Sequence, residues 1–120
     1  MSVVRAIRGA TSVPEDTREA ISARTAELVR EVLDRNGLTP GDLISIIFTS
    51  TEDLVATFPA TAAREVGLGA VPLICAREIP VPGALPSCVR LMAHANMPDD
   101  RPVQHVYLYD AVKLRVDLAQ

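Results

Sequence analysis

Residues 3 to 11, Val-Val-Arg-Ala-Ile-Arg-Gly-Ala-Thr, alternate closely enough to predict a strand. Val4, Ala6 and Arg8 fall on one face and Val3, Arg5 and Ile7 on the other, so Arg5 and Arg8 point to opposite sides. After Pro14 the period lengthens: Ile21, Thr25, Leu28, Val29, Val32 and Leu33 share one helical stripe. Asp16 with Glu19 three residues on reads as the capping box of this helix, and Asn36-Gly37 as its end, because glycine accepts the left-handed conformation there. The nearly continuous run Leu43-Ile44-Ser45-Ile46-Ile47-Phe48 suits a strand inside a sheet, covered on both faces. Thr57-Phe58-Pro59 offers a cap candidate and an early proline for a short helix to Val66, ended by Gly67, with Thr61 and Arg64 on one face. Val71 to Ala76 reads as a further strand, and Pro80 to Pro86 as a stiff loop. Ser87 to Asn96 satisfies both periods; by pattern and propensity it is a short helical turn followed by a strand. Met97 to Pro102 is a polar turn. His105 to Val112 reads as a strand that continues into Lys113-Leu114-Arg115-Val116-Asp117 with its charged members outward.

A chain of 120 residues makes one domain, residues 1–120, large enough to fold without disulfides or metals. Apolar residues are 48% of it, yet it has no Trp, and only Phe48, Phe58, Tyr107 and Tyr109 carry benzene-type rings, so the core must be aliphatic. So much apolar sequence beside so little charge leaves more greasy surface than a small monomer tolerates, which favours a homo-oligomer. The net charge is −3 and the basic residues are scattered, which excludes the electrostatic footprint of a nucleic-acid binder. No apolar run approaches 18 residues and Met1-Ser2 leads directly into strand-like sequence, so a cytoplasmic protein with no membrane association is expected. Cys75 and Cys88 lack the spacing of a zinc site or disulfide framework and read as reduced thiols.

The chemistry starts from arginines inside apolar stretches, Arg8 near the start and Arg90 in Cys-Val-Arg-Leu-Met (88 to 92). A guanidinium keeps its proton at any ordinary pH, so each needs an anion, either an internal carboxylate or a ligand. The segments around them decide more. Ile7-Arg8-Gly9-Ala10-Thr11, Phe58-Pro59-Ala60 with Arg64, Val71-Pro72-Leu73-Ile74-Cys75 with Glu78, Cys88-Val89-Arg90 and His105-Val106-Tyr107-Leu108, in that order and spacing, closely resemble the AroH class of monofunctional chorismate mutases. The resemblance runs from about Val3 to Leu118.

It implies an α+β fold, a mixed five-stranded sheet with one long and one short helix, forming a pseudo-α/β-barrel homotrimer with active sites between subunits. It also makes residues 89 to 96 a strand. The implied reaction turns chorismate into prephenate by a 3,3-sigmatropic (Claisen) rearrangement, with no cofactor and no metal. By the same resemblance Arg90 reaches the ether oxygen and a substrate carboxylate, and Arg8 grips a carboxylate with help from Tyr107. Glu78 accepts the ring hydroxyl near Cys75. Phe58 and Leu73 form apolar walls, and Ala60, Thr61, Arg64 and Leu114 stand near the mouth. Thr61 occupies a position where members of the class can carry Lys, and neither His94 nor His105 matches a chemical role. Two other readings stand beside this one: a non-catalytic trimeric binder of small carboxylates, and a Cys75 thiol enzyme, which would need a base that the spacing does not identify.

Overall fold

The computed structural model describes residues 1–118, with side chains through residue 114. Its core is a mixed five-stranded sheet built from β1 (Ser2–Ser12), β2 (Leu43–Ser50), β3 (Leu73–Arg77), β4 (Cys88–Pro98) and β5 (Val106–Leu108), in the order β3-β2-β4-β1-β5. β4 runs antiparallel to both β1 and β2, whereas β3 and β5 pair in parallel at the two edges. The ambiguous segment is therefore strand from Cys88 onward, with no helical turn before it; Ser87 instead takes a left-handed conformation, φ 51°. Its N–H and hydroxyl both donate to Asp53, which holds that strained corner in place.

One face of the sheet is covered by α1 (Arg18–Arg35) and α2 (Pro59–Ala63). Ile21, Thr25, Leu28, Val29 and Val32 of α1 are buried as the periodicity predicts, against Ile7, Ile46, Phe48, Leu91 and Val106. α1 comes so close to β1 that a Cβ at Gly9 would lie 3.2 Å from Leu28 Cδ1 and from Leu91. The cap differs from the expected one: Thr17 Oγ1, not Asp16, accepts the N–H of Ala20. Asp16 instead accepts the N–H groups of Val55 and Ala56, fastening the loop before α2 to the start of α1.

The other face is open in this chain. Val4, Ile47 and Ile74 are 61%, 41% and 62% exposed. The expectation that β2 is covered on both sides fails here for a simple reason: both helices pack on the same side. Two helical segments also depart from the pattern. The short helix begins after Phe58 with no side-chain cap, so Thr57 does not serve as one, and beyond Ala63 it widens into a π-type turn, Arg64–Leu68, broken at Gly67 with φ +104°. The predicted strand His105–Val112 shrinks to Val106–Leu108, because Tyr109 turns left-handed (φ 55°) and the chain continues as a 3-10 helix, Tyr109–Leu118. Tyr109 is pinned there by its hydroxyl on Glu27 and by the Arg24 guanidinium 3.5 Å from its ring centre. The predicted outward placement of Arg115 and Asp117 lies outside the described side chains.

Candidate active site

The strand register gathers the arginines. Arg90 on β4 lies opposite Thr49 on β2 and Ala10 on β1, and Ala10 lies opposite Tyr107 on β5. One step along, Arg8 is paired with Met92, and Met92 with Ile47. Side chains directly across a ladder share a face, so all of these project from the open side of the sheet. There Arg8, Arg90, Tyr107, Thr49, Ile47 and Met92 line a cleft of about 360 Å³. Leu114 packs beside it, against Ala10, Tyr107 and Ala111.

Glu78 enters from the end of β3, where its N–H donates to Ser50 O. Its carboxylate takes both Arg90 Nε at 2.9 Å and Arg90 Nη2 at 2.7 Å, a bidentate fork, and Thr49 Oγ1 donates to it at 2.7 Å. Burial pushes the Glu78 carboxyl up, but the bonds from Arg90 and Thr49 and the Arg90 charge outweigh it, so it sits below the ordinary glutamate range. The bond to Glu78 in turn raises the pKa of Arg90 against the opposing pull of burial. Both groups are thus held charged. Arg90 is answered by an internal carboxylate, the commoner of the two explanations for an arginine in an apolar stretch. Yet half of its side chain, 48%, remains open to the cleft.

Other predicted residues stand elsewhere in this chain. Cys75 pairs with Phe48 in register, which turns it to the helix side of the sheet, where it packs against the core with Leu73. Cys75 and Phe58 line a second cleft, of about 410 Å³, together with Thr57, Pro59 and Arg77. Ala60 is buried in α2; Thr61 is half-buried, and Arg64, which follows α2, is exposed. Phe58 is 69% exposed at the edge of that second cleft, away from Arg8 and Arg90. The structure therefore divides the candidates into a cationic set with Glu78 and an apolar set around Phe58. Arg5 points to the covered side and donates to the Asp99 carbonyl, apart from both sets. Cys88 is buried, and burial pushes its thiol up to about 11.

Sequence reasoning passed over Thr49, the residue that shares Glu78 with Arg90. Its only signal is a hydroxyl at the end of an apolar strand, and the register that places it beside Arg90 is not visible in one sequence. Among the described residues no three His, Cys, Asp or Glu side chains cluster so as to hold a metal ion, and no helix is long and apolar enough to cross a membrane.

Residues 4–118 match the family model for chorismate mutase type I. The chain is 52% identical over 119 residues to chorismate mutase AroH of Thermus thermophilus, covering 97% of each protein. It is 40% identical over 120 residues to chorismate mutase AroH of Bacillus subtilis (strain 168), covering 98% of this chain and 94% of that protein. Among solved structures, a chorismate mutase from Clostridium thermocellum superposes with a TM-score of 0.86 at 49% identity, over 89% of this chain and 96% of that one.

Proposed function

The chain belongs to the type I chorismate mutase family, and from that membership we propose how its residues carry out the reaction. It is an isomerase of aromatic amino acid biosynthesis that converts chorismate to prephenate. In that rearrangement the ether C–O bond breaks as a new C–C bond forms, within one molecule and without proton transfer. Negative charge grows on the ether oxygen as the bond stretches. The protein has two tasks: to hold the enolpyruvyl side chain folded over the ring, and to keep a fixed cation where the charge appears.

Arg90 takes the second task. With Nε and one Nη2 proton committed to Glu78, the rest of its five-donor fork is left for the ether oxygen and a substrate carboxylate. Glu78 keeps the guanidinium plane from turning and, held ionised, accepts the ring hydroxyl. Such a preformed cation contributes more as charge develops than in the ground state, which is what raises turnover. Arg8 and Tyr107 grip the side-chain carboxylate from the neighbouring strands. The single observation that carries this reading is the cleft that Arg8, Arg90 and Tyr107 line together, with Glu78 locked onto Arg90.

Phe58, Ala60, Thr61 and Arg64, with Cys75 and Leu73, complete the pocket in this reading from a second copy. Three copies in a ring give three such sites, the apolar open faces of the sheets are covered in the process, and the assembly works in the cytoplasm. Following the loss of chorismate absorbance, with no metal or cofactor added, tests the assignment. Arg90→Ala is expected to lose about 3 to 4 kcal/mol of transition-state stabilisation, a fall in kcat of a hundredfold or more, with the fold intact. Wild-type turnover in that variant would remove Arg90 from the reaction.

A further inference from the structure

The ladder between β1 and β5 begins at Gly9, opposite Val106. One residue earlier the N–H of Arg8 meets no β5 carbonyl; it donates instead to Nδ1 of His105, 3.0 Å away. His105 directly precedes β5, and its ring does what a backbone acceptor does further along. An imidazole can accept at Nδ1 only when that nitrogen carries no proton, so the bond selects the neutral ring with its hydrogen on Nε2. The approach to His105 is itself fixed, since Gln104 N–H donates to the buried Asn36 side chain at the end of α1.

We infer that His105 is a positioning residue for Arg8: its neutral ring extends the β1–β5 ladder by one bond and so fixes the backbone from which Arg8 reaches into the cleft. The inference rests on the proposed role of Arg8 as a carboxylate grip. A second proton on the ring would break the bond and set a new positive charge beside the Arg8 backbone. Burial and then the Arg8 charge, which is the charge that reaches the ring, both hold the His105 pKa below the ordinary histidine value. The switch therefore lies on the acid side of 6.5, and the bond is intact at neutral pH.

kcat/KM measured from pH 5 to 8 tests this. Glu78, held below its ordinary value, stays ionised across that window. The wild type is expected to lose kcat/KM on the acid side, chiefly through KM, since a carboxylate grip acts on ground and transition states alike. His105→Ala should raise KM about tenfold at every pH and lack the acid limb. His105→Asn, whose amide oxygen can accept in place of Nδ1 but does not titrate, should stay within about twofold of wild type and also lack the limb. His94→Gln, which changes the other histidine, should keep it. His105→Ala with unchanged KM, or His105→Asn with the limb retained, would overturn the inference. In the unaltered enzyme, the Arg8 amide ¹⁵N resonance should titrate with the His105 ring, a readout independent of any variant's folding; an Arg8 amide indifferent to that titration would also overturn it. Arg8→Ala separates the two levels. Full activity there defeats the grip itself, whereas a weak Arg8→Ala beside a silent His105→Ala defeats the positioning alone.

Discussion

Glu78 has to satisfy three groups with two oxygens. Arg90 takes both of them, Thr49 shares one, and the proposed ring hydroxyl needs a remaining lone pair. Thr49→Val removes the second donor while keeping the shape of the side chain. Hydrogen bonds to charged groups contribute about 1.5 to 3 kcal/mol, with less here because Arg90 is half-exposed, so a fall in kcat/KM of about tenfold is expected from steady-state kinetics. The bond also enters acid stability. The folded pKa of Glu78 lies below its unfolded value of 4.5, so its contribution is complete above 4.5 and is lost as pH falls through the folded value. Thr49→Val should shrink that loss, seen as a smaller difference between urea midpoints at pH 6 and pH 3. Arg90→Lys asks about the fork instead of the charge. An ammonium cannot lie in plane across both carboxylate oxygens and still present further donors to the ether oxygen, so turnover close to that of Arg90→Ala is expected.

At the scale of elements, what could be read from the sequence depended on how local the cause was. The stripe of α1 and the alternation of β1 are set by neighbours a few residues away, and both stand as read, as does the opposition of Arg5 and Arg8. The cap of α1 was misplaced by one residue because Asp16 and Thr17 are both good caps; the choice turns on Asp16 being taken by the distant loop at Val55 and Ala56. Thr17→Ala should therefore cost about 1 kcal/mol in chemical denaturation, whereas Ala at residue 16 would release the loop before Phe58 instead. β5 is short for a comparable reason. Residues 109 to 112 alternate well enough for a strand, but Glu27 and Arg24 of α1 capture Tyr109 and turn the chain. The site divided the same way. Five segments taken together, in their order and spacing, pointed to Arg8, Arg90, Glu78 and Tyr107 as candidates, while the bond from Arg8 to His105 and the sharing of Glu78 by Thr49 came from register, which no local pattern encodes.

At the scale of the molecule, the open sheet face and the split site pose one question. Val4, Ile47 and Ile74 lie exposed on the face that carries Arg8 and Arg90, while Phe58 and Cys75 line a cleft of their own. A heterologous ring that brings the Phe58 side of one copy to the arginine side of the next would cover both. Such an arrangement makes a quantitative prediction about mixtures. Arg90→Ala disables the cationic half. Phe58→Asp, at an exposed position where folding is not at stake, disables the other half by setting a carboxylate against a dicarboxylate substrate. Each pure variant should be nearly inactive. In an equal mixture reassembled from dissociated chains, a given interface receives an intact cationic half in one case out of two, and independently an intact apolar half in one case out of two. About a quarter of the sites then have both, and activity should recover to about a quarter of wild type. If each copy instead supplied its whole site, every chain would carry one defect and mixing would recover nothing, so the activity of the mixture decides whether the two clefts serve one reaction.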